Sequence, residues 1–280
     1  MPGVKVVTDS ACDLTTQMAE DRGVRVVPLT IRFGQEEFVD RQQLSTKEFW
    51  DRVTTGSVIP ETAAPSPGAF RDAFLDAADE GASGVACITL SSGVSATFQA
   101  ASTAAADVSD RIPVAVVDSL SLTMGLGMLV LDAVQAAERG ASLAEVEDEI
   151  LLRRDRTRVY GTIDSLEFLK RGGRIGGLSQ LLGSMLSIKP VIEIRNGGVE
   201  LESRQRTRQR SLQYLADKAR NAGPLERIAV ANGAASDIDQ LVSRLSGIDC
   251  AHELTVTELG PVIGSHGGPG TIGLCFQLAG

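Results

Sequence analysis

Aromatic side chains make up only 4% of this 280-residue chain, and basic residues are outnumbered: 27 Lys and Arg stand against 36 Asp and Glu, a formal net charge of −9. Such a chain repels a phosphate backbone and offers few rings for bases to stack on, so no nucleic-acid partner is expected. The four cysteines, Cys12, Cys87, Cys250 and Cys275, form no C-x-x-C pair, and His252 and His266 are the only histidines. Neither a zinc site nor any other metal site is therefore expected. Cys87 and Cys275 sit inside apolar runs, where a buried, inert thiol is the ordinary reading. Long hydrophobic runs are missing as well. A stretch such as Met128 to Leu131 falls far short of the ~18 residues a membrane span needs, and no apolar leader follows Met1. No stable membrane insertion is expected, and the cytoplasm is the default compartment.

What is present has the balance of an ordinary globular protein, 43% hydrophobic and 22% charged. The first half alternates strand and helix patterns. Val4 to Thr8 is a β-branched run, followed by capping types Asp9, Ser10 and Asp13 and a segment to Arg22 that Gly23 stops. Val24 to Phe33 reads as a strand, Ser45 and Glu48 as a capping box, and Ser66-Pro67 as a cap with proline at the first helical position. Strands at Val85 to Leu90 and Val114 to Val117 flank an Ala-rich helix from about Gly93 to Ala106. Continuous apolar strands joined by helices imply a parallel sheet covered on both faces.

Helices from Leu122 to Arg139 and from Ser142 lead to the charged stretch Arg153 to Arg158, where a domain boundary is placed, dividing the chain into residues 1–156 and 157–280. Beyond it come a strand from Arg158 to Ile163, two short helices either side of Gly172 and Gly173, and two strands joined by Asn196-Gly197-Gly198, a hairpin signal. A helix to Arg220, a strand at Arg227 to Ala231, a helix from Ser236 to Leu245 and two last strands follow. The expected fold is α/β in two domains: an N-terminal parallel sheet covered by helices and a C-terminal mixed sheet.

Three segments carry chemistry. Ser91-Ser92-Gly93-Val94-Ser95-Ala96-Thr97 lies between a strand end and a helix start, the edge at which open α/β sheets bind ligands. Hydroxyls and free N–H groups there suit a carboxylate or phosphate, although Ser91 or Ser92 could simply cap the helix. Thr62-Ala63-Ala64-Pro65-Ser66-Pro67 is a loop stiffened by two prolines, from which Thr62 could reach the same anion. His266 to Gly273 contains G-x-G-x-x-G at Gly268, Gly270 and Gly273, but only seven residues follow, too few for a dinucleotide unit. Those glycines instead let the backbone pass close to a ligand or another strand, leaving His266 as an imidazole on a flexible loop. A serine hydrolase with Ser92 or Ser95 as nucleophile and His266 as base is the alternative, although no G-x-S-x-G elbow is present. Arg204, Arg206, Arg208 and Arg210 would share one face of a strand, either as a solvated face or as a docking patch for an acidic or phosphate-bearing partner.

Taken in order, Val6-Val7-Thr8-Asp9-Ser10, the Thr62 to Ser66 loop, Leu90 to Thr97, Arg171-Gly172-Gly173-Arg174-Ile175, Arg206-Thr207-Arg208 and His266-Gly267-Gly268-Pro269-Gly270 make the chain resemble, over nearly its whole length, the DegV family of bacterial fatty-acid-binding proteins. The resemblance implies a non-catalytic carrier that buries one long-chain fatty acid, such as palmitate, stearate or oleate, without a cofactor. It would present the carboxylate to a separate ATP-dependent fatty acid kinase subunit, which makes an acyl phosphate for phospholipid synthesis. It further implies that Thr62 and a serine of the loop, Ser92 or Ser95, bind the carboxylate with His266 close by, and that Arg206, with Arg174, faces the kinase. Two departures stand out: Thr62-Ala63-Ala64-Pro65-Ser66 replaces the family's T-S-Q-P-S, and Ser95-Ala96-Thr97 replaces S-G-T.

Overall fold

The computed structural model describes residues 3–181 and 188–280. Strands β1 (Val4–Asp9), β2 (Arg25–Val27), β6 (Gly84–Thr89) and β7 (Val114–Asp118) form a parallel sheet in the order β2-β1-β6-β7. Alternation along β6 explains why every residue in it is buried. Val85 and Cys87 face helices α3 (Pro67–Asp79) and α4 (Thr97–Asp107), through Phe70, Phe74 and Ala104. Ala86 and Ile88 face α5 (Thr123–Glu138) and α6 (Leu143–Arg154), through Leu129, Val130 and Ile150. Ser142 and Glu145 form the expected capping box at the start of α6, and the shorter helices are α1 (Thr16–Asp21), α2 (Thr46–Thr55) and α7 (Glu167–Arg171).

The Val24 to Phe33 run does not make one strand. Pro28, which has no N–H to give a ladder, breaks it: β2 stays with the parallel sheet, while β3 (Thr30–Phe33) leaves to pair with β4 (Glu36–Val39) and β5 (Glu61–Ala63) in a small antiparallel sheet. Thr62, expected on a loop, therefore sits in a strand, paired with Ile31.

Strands β8 (Thr157–Thr162), β9 (Lys189–Arg195), β10 (Gly198–Gln205), β11 (Leu225–Gly233), β12 (Thr255–Glu258) and β13 (Thr271–Leu278) form a mixed sheet, β10-β9-β8-β13-β11-β12, in which only β11 and β12 run parallel. Asn196 and Gly197 both take positive φ, the conformation a two-residue hairpin turn requires. Helices α8 (Arg208–Arg220) and α9 (Ile238–Leu245) cover the outer face, burying Leu212, Leu215 and Leu241 against Leu274 and Phe276. The inner face meets α5, so one apolar cluster joins Leu126 and Val130 to Val159, Ala229 and Cys275. Buried Asp132 of α5 clamps this contact by accepting from Gln277 Nε2 at 2.7 Å and Arg227 Nε at 3.3 Å.

The arginine stretch does not share one face, because β10 ends at Gln205 and α8 begins at Arg208. Arg208 turns inward to a bidentate pair with Asp237, while Arg206 stays exposed in the connection. Among the described residues no helix is long and apolar enough to cross a membrane.

Candidate functional site

The segments that follow the carboxyl ends of β2 and β6 meet the inner face of the mixed sheet around a cavity of about 180 Å³. Most of its wall is apolar, with Leu29, Leu90 and Leu122 from the N-terminal half facing Val159, Ile192 and Ile194. Polar side chains gather at one end, where Thr62, Ser95, Arg174 and His266 all border the space.

His266 does not lie on a flexible loop. It occupies the last turn of α10 (Pro261–Gly267), which starts with Gly260 as N-cap and Pro261 at the first helical position, a signal obscured by the glycines that follow. One of these, Gly264, packs so closely on Phe49 and Trp50 that a Cβ would lie 2.7 and 2.8 Å from their rings. The imidazole Nε2 is 2.9 Å from Thr62 Oγ1, joining residues 204 positions apart. The other nitrogen, Nδ1, is buried without a hydrogen-bond partner among the described residues and lies against Gly172, where any side chain would collide with it. Burial, reinforced by the charge of Arg174, pushes the imidazole down to about 4 from its ordinary 6.5, so it is neutral at pH 7.

Arg174 lines the cavity, held by bonds from Nε to Val94 O (3.0 Å) and from Nη1 to Gly172 O (2.6 Å). The serine loop is not yet helix: α4 begins at Thr97, and Ser91 to Ala96 turn ahead of it. Buried Ser91 donates to Gly197 O at 2.7 Å, fastening the loop to the β9–β10 hairpin. Exposed Ser92 bonds to the Asp118 carboxylate and does not border the cavity. Ser95 does border it, its hydroxyl 2.8 Å from that of Thr97 and accepting from Thr97 N at 3.3 Å. The structure thus brings Thr62, Ser95 and His266 together and sends Ser92 elsewhere. Among the described residues neither serine is paired with His266, whose Nδ1 meets no carboxylate, so they assemble no Ser–His–acid relay.

The expected capping residues Asp9 and Asp13 anchor a buried network below the polar end, Asp9 as the N-cap of the short helix Ser10–Cys12. Asp9 accepts from Ala11 N at 3.0 Å and Leu90 N at 2.7 Å, fixing the residue that precedes the serine loop. Asp13, at φ 50°, accepts from Thr123 Oγ1 at 2.5 Å and Gly260 N at 3.0 Å, fixing the entrance to α10 and hence His266. Arg41 donates to the carbonyls of Leu14 and Ser10, with buried Asp40 beside it. Burial raises both Asp9 and Asp13 from 3.8 to about 7, against the pull of their N–H and hydroxyl donors and Arg41. The run Thr8-Asp9-Ser10 was the available signal: polar residues at the end of an apolar strand have to be satisfied inside the fold.

The DegV family model, described as an uncharacterised protein family, matches residues 3–278. A DegV domain-containing protein of Streptomyces coelicolor is 34% identical over 278 residues, 97% of this chain and 97% of the relative. The solved structure of fatty acid binding by a DegV family protein from Thermus thermophilus superimposes with a TM-score of 0.89 at 33% identity, covering 99% of this chain and 100% of that one. That of a stearic acid-binding protein from Eubacterium ventriosum gives 0.86 at 26% identity, with 98% of each chain covered.

Proposed function

Because the chain belongs to the DegV family, we propose that it binds one long-chain fatty acid in the apolar cavity and presents the carboxylate to a separate ATP-dependent kinase. The observation that carries the reading is the Thr62–His266 pair at the polar end of an otherwise apolar space. In the tautomer protonated at Nε2, the neutral imidazole donates to Thr62 Oγ1 and leaves the threonine proton to point at the carboxylate. Arg174 supplies the nearby positive charge, and Ser95 and the first-turn N–H groups of α4 add donors. The tail supplies the affinity: burying about 14 methylenes of a palmitoyl chain at ~0.8 kcal/mol each gives on the order of 11 kcal/mol before the cost of immobilisation. The head groups then fix where the carboxylate sits, as transfer of a phosphoryl group from a partner demands.

Denaturing mass spectrometry of lipid extracted from the purified protein tests this directly. One equivalent of long-chain fatty acid is expected. Thr62→Val, which keeps the volume and deletes the hydroxyl, is expected to weaken retention by roughly 1.5–3 kcal/mol with an unchanged thermal midpoint. Lipid-free wild type that takes up no added fatty acid would overturn the reading, and equal retention by the variant would remove Thr62 from the site.

A further inference from the structure

Glycine in the middle of a sheet weakens a strand and packs nothing, so its presence there calls for a reason. Neighbouring strands β8 and β13 carry Gly161 and Gly273, which the register sets directly opposite each other. Their own surroundings do not demand glycine. Neither has positive φ. A Cβ on Gly161 would lie 3.5 Å from Ile192 Cγ1 and the Ile272 carbonyl oxygen, and one on Gly273 would lie 3.6 Å from Ala231 Cβ, all ordinary contact distances. Gly233, by contrast, would bring a Cβ within 2.9 Å of Thr271 O, and Gly84 within 3.1 Å of a Leu143 methyl.

What the pair borders is the cavity. Ile163 and Thr271 line it one layer toward the polar end, and Val159 lines it one layer deeper, where α5 closes in so tightly that Gly125 has no room for a side chain against Val159. From Ile163 to Val159 the strand runs about 13 Å at ~3.3 Å per residue, with the glycine pair midway. The floor of the cavity is therefore bare backbone at half depth.

We propose that Gly161 and Gly273 are the specificity-determining floor of the acyl site, a strip kept free of side chains so that the middle of a long chain can pass to the deep wall at Val159. The proposal rests on the fatty-acid reading above. Filling the strip turns a site for long chains into one for medium chains.

Lipid-free wild type, Gly161→Ala, Gly273→Ala and the double variant would each be loaded with an equimolar mixture of decanoic, lauric, myristic, palmitic and stearic acids, and the bound fraction analysed by mass spectrometry. Wild type is expected to select palmitic and stearic acids. The variants are expected to shift several-fold toward lauric and decanoic acids, most in the double variant, with thermal midpoints at or above that of wild type, because alanine is the better strand residue. An unchanged chain-length profile would overturn the proposal. So would equal loss of every acid together with a lowered midpoint, which marks a packing role. Wild type that takes up none of the acids overturns the fatty-acid reading instead, a result that needs no variant to recognise.

Discussion

Two polar clusters lie beside one another at the end of the parallel sheet, and they differ in what their side chains hold. In the lower one, Asp9 and Asp13 each accept two hydrogen bonds from donors of this chain, and Arg41 spends its guanidinium on two carbonyls. In the upper one, Thr62 and His266 hold each other, His266 Nδ1 has no partner among the described residues, and the group borders a cavity. Buried polar groups are normally paired within the fold, so carboxylates that take up backbone N–H groups of their own chain act as scaffold, whereas an imidazole nitrogen left unpaired beside a cavity is open to a ligand. The same short stretch of sequence thus serves two ends: carboxylates brace the loops, and the loops hold the hydroxyl and the imidazole in place.

The sharpest break of that comparison is Asp13→Ala. It orphans the Gly260 N–H and the Thr123 hydroxyl, each worth roughly 1–3 kcal/mol when left buried and unpaired. Chemical denaturation is expected to show this loss of stability, with fatty-acid retention falling as well because α10 loses its anchor. Thr62→Val serves as the control, lowering retention alone. Stability equal to wild type for Asp13→Ala would show that the lower cluster braces nothing.

A smaller effect separates the clusters by the sign of their pH dependence. Asp9 and Asp13, raised to about 7, bind protons more tightly in the folded than in the unfolded chain, so their contribution is full below about 4 and is lost as the pH rises through 7. His266, lowered to about 4, contributes fully above 6.5 and loses that contribution as the pH falls toward 4. Between pH 4 and 6.5 the two clusters oppose each other. Relative to wild type, His266→Asn is expected to gain stability on moving from pH 7.5 to pH 5, and Asp13→Asn, which keeps an acceptor oxygen but cannot titrate, is expected to lose it. Urea midpoints at the two pH values decide this, and parallel shifts in both variants would contradict the opposition.

The lower cluster also marks the limit of what the sequence could say. Apolar runs between capping residues made the parallel sheet, its covering helices and the Asn196-Gly197 hairpin legible, because each depends on neighbours a few residues away. Thr62, Ser95 and His266 were legible as chemistry, yet the 204-residue span that makes Thr62 and His266 one unit was not. Gly264 and Gly267 hid α10, since their low helix propensity is overridden by packing on Phe49 and Trp50 that only the tertiary fold supplies. In the sequence Ser92 and Ser95 stand on the same footing; which of two hydroxyls in a turn points inward depends on whether Asp118, at the end of another strand, takes one of them. The alternation of four arginines failed for a similar reason, because the strand gives way to helix in the middle of it.

The smallest effect on the folded protein is expected at Arg206, which lies exposed outside both clusters. If a kinase docks there, Arg206→Ala is expected to leave the thermal midpoint and the extracted fatty acid as in wild type while slowing acyl phosphate formation, and Arg206→Glu to slow it further. Removing an exposed charge costs the fold close to nothing, whereas a charge on an approach surface acts mainly on the rate of encounter. That rate is screened by salt, so acyl phosphate formation by wild type is expected to fall with ionic strength more steeply than that of Arg206→Ala. Side-by-side measurement of fatty-acid content, phosphorylation rate and salt dependence reads the result. Three values matching wild type would make Arg206 ordinary surface charge, and a variant that lost its fatty acid would tie the β10–α8 connection to the cavity and so blur the line between seat and surroundings on which the comparison rests.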